Sequence, residues 1–251
     1  MAKKPLFGRT VIVTRPRAKS GGIASALTRR GARVVYAPLI RTIAPRSSKA
    51  LDRAIRQLSR YEAVAFTSVN AVDFFFLRCR TLLGRVPVPP RVLAAVGSAT
   101  AKAVATHGWA CSIIPEDARA AGLAQVLRVP RGARVLIPRA ERGLETLPKA
   151  LRAAGALVTV VAAYRTVPDD EGRRTLRRAL ALGADAVTLA SGSAAALGAS
   201  DITLSGAAAI AIGPTTAAAL KAKGIKPAAV AQHPDPESFA QAVVTGLRNR
   251  P

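Results

Sequence analysis

At 251 residues, half of them hydrophobic, the chain is long enough to bury two modest cores and too apolar to be disordered. Its formal charge of +24, from 29 Arg and 9 Lys against 14 acidic residues, admits either an anionic partner or an Arg-enriched solvated surface. No block of five like charges occurs and only ten residues are aromatic, which argues against a base-stacking nucleic-acid surface.

Short β-branched runs alternate with longer Ala-, Leu- and Arg-rich segments of helical period. In chain order the strand-like runs fall at 10–14, 33–37, 63–67, 92–96, 112–114, 134–137, 157–161, 186–189, 208–212 and 228–231. Most are apolar at consecutive positions, as in strands buried on both faces, so the expected fold class is α/β, with doubly wound parallel sheets. Helix starts are signalled by Ser68 before Ala71, Ser98 before Ala101, Ser191 before Ala194 and Asp235-Pro236 before Ser238. Helix ends are signalled by Gly31, Gly108, Gly155 and Gly224, each standing just before the next strand.

The elements repeat. Gly8, the run 10–14, Arg15, Gly31-Ala32, the run 33–37 and Arg41-Thr42 recur 124 positions later as Gly132, 134–138, Arg139, Gly155-Ala156, 157–161 and Arg165-Thr166. Residues 61–64 recur at 184–187, and Gly97 to Ala101 at Gly213 to Ala217 with an offset of 116, one insertion around 84–90 accounting for the shift. So long a period means two similar domains of about 120 residues, with a site expected between them. The equivalent Pro-containing stretches 37–45 and 163–168 are the expected passages between domains. A split near residue 125 and a crossed arrangement both fit the repeat.

Several chemistries lack their signatures: no dinucleotide-type glycine run, no phosphate-loop Lys, no His-Glu-x-x-His, no nucleophile elbow. Cys79 and Cys111 have no metal or redox spacing and read as reduced thiols. His107 and His233 sit near helix ends, where solvated or capping roles are the default. Residues 1–5 carry charge but precede no apolar stretch, which does not make a signal peptide. The uncharged run 202–220 is interrupted by Gly213-Pro214 and reads as a strand followed by a helix. The expectation is a cytoplasmic chain with no membrane span, no metal and no cofactor.

What remains are hydroxyl-bearing turns after strands. Gly97-Ser98-Ala99-Thr100 matches Gly213-Pro214-Thr215-Thr216, and Thr67-Ser68-Val69-Asn70 matches Ala190-Ser191-Gly192-Ser193. In a parallel sheet these turns share the carboxyl edge, where helix N–H groups accept anions; each is also compatible with a plain N-cap. Arg15 and Arg139 occupy equivalent strand ends, able to clasp a carboxylate or to sit solvated. Tyr164, one of three tyrosines, sits at the expected passage 163–168, and its phenol is the one plausible proton donor near a cleft, or else a half-buried packing residue.

These motifs, in this order, resemble those of uroporphyrinogen-III synthases: Val13-Thr14-Arg15-Pro16, Phe66 to Val72, Val96 to Ala101, Tyr164-Arg165-Thr166, and Ile212 to Ala217 followed by Gly224. Each motif is weak alone; their order and spacing over nearly the whole chain are specific. The resemblance implies two doubly wound α/β domains joined by a two-stranded crossover: 1–38 with 168–251, and 42–164, linked by 38–45 and 163–168. It implies a lyase that cyclises hydroxymethylbilane to uroporphyrinogen III with inversion of ring D and loss of water. Cleft positions carried over are Thr67, Ser68, Thr100, Tyr164, Ser191 and Thr216. Where the family usually reads Phe-Thr-Ser in its second hydroxyl motif, this chain has Leu189-Ala190-Ser191.

Together the expected substrate-binding set is Arg15, Thr67, Ser68, Asn70, Gly97, Thr100, Arg139, Ser191, Gly213, Thr215 and Thr216, with Tyr164 as the catalytic donor. The expected working form is a monomer on a polycarboxylate, in transient contact at most with the enzyme supplying it. Two other readings stand beside it: a non-catalytic two-domain binder of small polycarboxylate anions, and a nonspecific nucleic-acid binder working through Arg, which would lose affinity steeply with salt.

Overall fold

The computed structural model describes residues 4–248, so the reading of residues 1–3 lies outside the described part. Residues up to Arg41 together with those from Val167 onward form one compact unit; Thr42–Thr166 form the other. Each unit contains a five-stranded sheet.

The first unit contains β1 (Thr10–Val13), α1 (Gly21–Arg29), β2 (Arg33–Tyr36), and, after the excursion through the second, α7 (Asp170–Ala181), β8 (Ala186–Leu189), α8 (Gly192–Ser205), β9 (Ala208–Ala211), α9 (Pro214–Lys221), β10 (Ala229–Val230) and α10 (Pro236–Arg248). Its strand order is β10-β9-β8-β1-β2, parallel throughout. Period-2 alternation splits each strand between two apolar layers. Ile12, Val187 and Ala209 pack under α7, α8 and α9. Val11, Val13 and Ile210 pack under α1 and α10.

The second unit contains β3 (Ile40–Ile43), α2 (Lys49–Arg56), β4 (Ala63–Phe66), α3 (Val69–Leu83), β5 (Val92–Ala95), α4 (Ser98–Ala105), α5 (Ala120–Val126), β6 (Arg134–Ala140), α6 (Thr146–Ala153) and β7 (Leu157–Pro168), with β3 and β7 both running over the boundary. Its order is β3-β7-β6-β4-β5. Phe66, Phe75 and Phe76 are fully buried in the layer under α2, α3 and α4, each contributing about 2 kcal/mol of burial. Leu123, Leu147 and Leu151 seal the opposite face.

The duplication is visible strand by strand: β9-β8-β1-β2 corresponds to β5-β4-β6-β7. Each unit therefore takes two strands from the first sequence copy and two from the second, and a cut at 125 would divide the second unit. The paired C-cap glycines hold the same left-handed backbone, φ +96° at Gly31 and +90° at Gly155.

Several expectations are corrected. The run 112–114 is not a strand but a single bridge, Ile113 to Ala94, in the place β10 takes beside β9. The strand expected at 157–161 continues to Pro168, because the passage between units is itself extended. Helices α2 and α5 have no capping bond from their N-cap side chains, although Ser47, just before α2, accepts the Lys49 N–H at 3.4 Å. Ser98 is exposed at the first helical position; Gly97 is the N-cap. The run 202–220 becomes the end of α8, β9 and the start of α9, and no helix of the described residues is long and apolar enough to cross a membrane.

Candidate functional site

In a parallel sheet the strand carboxyl ends and the following helix amino ends meet on one edge. On the second unit that edge opens into a cavity of about 590 Å³. Thr67 and Ser68 reach it from the end of β4, Val96 from β5, Arg139 from β6 and Tyr164 from β7, while the segments 118–121 and 142–148, each a loop running into the first turn of α5 or α6, close its sides.

Ser68 has extended backbone, φ −167° and ψ 155°, and its Oγ accepts the Ala71 N–H at 3.1 Å, an N-cap. The same oxygen lies 3.3 Å from the Tyr164 hydroxyl. Tyr164 reaches it through a β-bulge: Arg139 pairs with Ala162 and Ala140 with Tyr164, so one residue of β7 is passed over. The extra residue reverses the side-chain alternation. Val158 and Val160 face the α5–α6 layer, whereas Tyr164 joins the α3 layer and stacks on Phe74 at 5.7 Å. It is 8% exposed, a ring buried to its hydroxyl.

Gly97 packs beside Ala118; a Cβ there would lie 3.0 Å from the Ala118 methyl, so glycine allows the cavity loop to close on β5. Thr100, one turn into α4, is 4% exposed. Its hydroxyl makes no hydrogen bond, and among the described residues no fully buried side-chain oxygen lacks a partner, so the exposed part includes that oxygen. Asn70, in the first turn of α3, already has an interaction partner.

Arg139 departs from its expected state. Its guanidinium does not stand open but donates to the Leu144 carbonyl at 2.5 Å and to the Glu145 carboxylate. That hydrogen bond, with the charges of Arg139, Arg152 and Lys149, holds the Glu145 carboxyl below the usual carboxylate range. Two cavity cations were not singled out from sequence. Arg119 is held bidentately by Asp117 at 2.7 and 3.0 Å, and Arg142 has no hydrogen bond or ion pair. The available signal was Arg142-Gly143, three residues past the strand-end Arg139, in a chain where Arg is too common to stand out.

The first unit repeats the backbone of these turns but not all of the chemistry. Ser191, φ −161° and ψ 154°, accepts the Ala194 N–H at 3.2 Å. Gly213 is fully extended before α9, as Gly97 is before α4. Thr216 matches Thr100 in burial, 4% exposed, and likewise has no partner for its hydroxyl, while Thr215 is exposed. Arg15 is exposed and unpaired. The position matching Tyr164 is Ile40 and that matching Thr67 is Ala190, so the Tyr164 phenol and the Thr67 hydroxyl have no counterpart at the matching positions of the first unit.

The thiols take no part: burial pushes Cys79 up to about 12 and raises Cys111. His107 is a packing residue rather than a solvated one, its ring 4.3 Å from that of Phe76. Among the described residues no three His, Cys, Asp or Glu come together as a metal site would require.

Fold and edge chemistry define a class: two doubly wound α/β units whose sheet edges offer N–H, hydroxyl and guanidinium donors. Solved uroporphyrinogen-III synthases share the fold. A mutant form from Thermus thermophilus superposes with a TM-score of 0.67 at 22% identity, covering 97% of this chain and all of that one. The Helicobacter pylori structure gives 0.62 at 20% identity, covering 94% and 99%. In sequence, the family model of uroporphyrinogen-III synthase HemD matches residues 22–241. The Synechococcus elongatus uroporphyrinogen-III synthase is 33% identical over 177 residues, 68% of this chain and 67% of the relative. That of Chlorobaculum parvum is 28% identical over 253 residues, 96% of this chain and 100% of the relative. The chain belongs to the uroporphyrinogen-III synthase family.

Proposed function

We propose that the protein cyclises hydroxymethylbilane to uroporphyrinogen III, inverting ring D and releasing one water. The observation that carries the reading at the level of residues is the Tyr164 hydroxyl set 3.3 Å from Ser68 Oγ on the wall of a cavity that also holds Arg119, Arg139 and Arg142. The substrate's hydroxyl leaves as water when a proton reaches it, generating an azafulvene cation; Tyr164 O–H is the proposed donor, with Ser68 fixing its direction. Ring D then attacks through its substituted carbon, and the spiro intermediate fragments and recloses with the ring reversed. The same bilane closes unaided to the uninverted isomer, so the protein's task is chiefly to hold the chain bent.

Holding requires donors for acetate and propionate groups. In the second unit we assign this to Thr67, Ser68, Asn70, Gly97, Thr100 and Arg139, and in the first to Arg15, Ser191, Gly213, Thr215 and Thr216. Charge-assisted bonds of this kind contribute about 1.5 to 3 kcal/mol each. We further take the two compact units as the domains, with 38–45 and 163–168 as their linkers. We read the working form as a cytoplasmic monomer that needs no metal or cofactor and meets the bilane-forming enzyme only transiently. A purely binding role is disfavoured by the family.

The test supplies fresh hydroxymethylbilane to the purified protein and measures the ratio of III to I isomers after oxidation. A ratio well above the protein-free control is expected; equality with it removes the reading. In the same assay Tyr164→Phe is expected to lower kcat about 100-fold or more with little change in KM. Full turnover by that variant would move the donor role elsewhere.

A further inference from the structure

We propose that Glu145 is a displaceable internal stand-in for a substrate carboxylate, keeping the Arg139 guanidinium turned along the cavity wall until an acetate or propionate of the substrate takes its place. The proposal rests on the function proposed above and adds a specificity residue to the same site.

Four observations carry it. The Arg139 side chain is 14% exposed, and a guanidinium so enclosed requires acceptors at its N–H groups. Those acceptors come from one loop: the Leu144 carbonyl and the Glu145 carboxylate. The Glu145 side chain, by contrast, is 45% exposed and can leave without being desolvated. Gly143 makes the loop's approach possible, since a Cβ there would sit 3.1 Å from Arg139 Cδ and 3.3 Å from its Nη1.

A displaced carboxylate also has somewhere to go. Arg152 Nη1 is already 3.7 Å from it. Glu145 is the N-cap residue of α6 and its side chain makes no capping bond; with Pro148 at the third helical position, the Leu147 N–H is the one capping donor that helix start offers it, beside the favourable end of the helix dipole. The exchange therefore swaps one charged acceptor for another at Arg139 and leaves neither carboxylate stranded. Arg15, the counterpart in the first unit, has no such internal partner, so the device belongs to the second unit.

Competition has a sign. Removing the Glu145 charge strengthens carboxylate binding, whereas a residue that merely supports Arg139 weakens it when lost. Uroporphyrin III, an unreactive fluorescent polycarboxylate, serves as the probe for wild type, Glu145→Gln, Glu145→Ala, Arg139→Gln and the double variant Arg139→Gln/Glu145→Gln. Both Glu145 variants are expected to bind it about two- to fivefold tighter, the range for a partly exposed ion pair. The substrate KM should fall by a similar factor. In the Arg139→Gln background the Glu145 change should add nothing. Weaker or unchanged binding by both Glu145 variants, or a gain that persists without Arg139, overturns the proposal. Failure of the wild type to raise the III to I ratio would instead remove the function itself, whatever the probe reports.

Discussion

Thr100 and Thr216 are the residues at which structural and functional roles separate most cleanly. Each is buried except at its tip, and neither hydroxyl has an internal hydrogen bond. Thr→Val keeps the branched shape and deletes only an oxygen on which the fold does not rely. Thermal stability of Thr100→Val and Thr216→Val should stay within about 0.5 kcal/mol of wild type. If these hydroxyls grip the substrate, KM rises about fivefold per site, the equivalent of one neutral hydrogen bond of roughly 1 kcal/mol. A loss of stability with KM unchanged would return both residues to the core. At this scale the sequence was informative where the repeat singled residues out: Thr67, Ser68, Arg139 and Tyr164 do line one cavity. It was silent on Arg139's internal partner, because ion pairing depends on the path of a loop and not on the strand that precedes it.

Among the elements, the start of α7 is held against the chain after β2 by packing that admits only glycine. Gly172, in the first turn of α7, lies against the backbone of Pro38; a Cβ there would fall 1.7 Å from the Pro38 carbonyl oxygen. Backbone cannot step aside as a flexible side chain can, so Gly172→Ala should destabilise by about 3 kcal/mol in chemical unfolding, while Gly21→Ala, with nothing within 4 Å, should be near neutral. A second clamp joins α2 to α3, where Arg78 donates to both oxygens of Asp52 at 2.6 and 2.7 Å. The Arg78 hydrogen bond, working against burial and aided by the charges of Arg78 and Arg56, holds the Asp52 carboxyl below its ordinary value. A depressed folded-state value means the clamp is at full strength above the unfolded-state pKa, near 3.8, and is lost as pH falls through the folded one. Asp52→Asn should therefore cost about 1 kcal/mol at neutral pH and progressively less below pH about 4. A penalty that stays constant down to pH 2 would mean that charge is not what joins the helices. Strands buried on both faces were legible as apolar runs, and capped helices through Ser68, Ser191 and Asp235. What escaped were elements with weak local signals: β3, drawn into the sheet only by β7; α2 and α5, whose N-cap side chains make no capping bond; and the far half of β7, whose polar Arg165 and Thr166 hide an extended backbone.

For the molecule as a whole, the excess of Arg over acids is the property that no single contact accounts for. Asp201 is shared by Arg173 and Arg177, and Glu237 by Arg29 and Arg30, while Asp52, Asp117, Asp185 and Glu145 each hold an arginine. Six of the fourteen acids are thus paired among the described residues, most of the arginines are not, and the net +24 is expressed outward. Such a field raises the encounter rate of a polyanion, an effect that shrinks as the screening length falls from about 10 Å at 0.1 M salt to about 3 Å at 1 M. For hydroxymethylbilane, kcat/KM should therefore fall about tenfold between low and high salt while kcat holds steady, because the chemical step occurs after the charges have met. A field used for steering predicts this split whichever residues grip the carboxylates. If kcat/KM ignores salt, the arginines serve only to keep the surface solvated. If kcat falls in parallel, the charge acts inside the site, and Arg119, Arg139 and Arg142 become the residues to dissect.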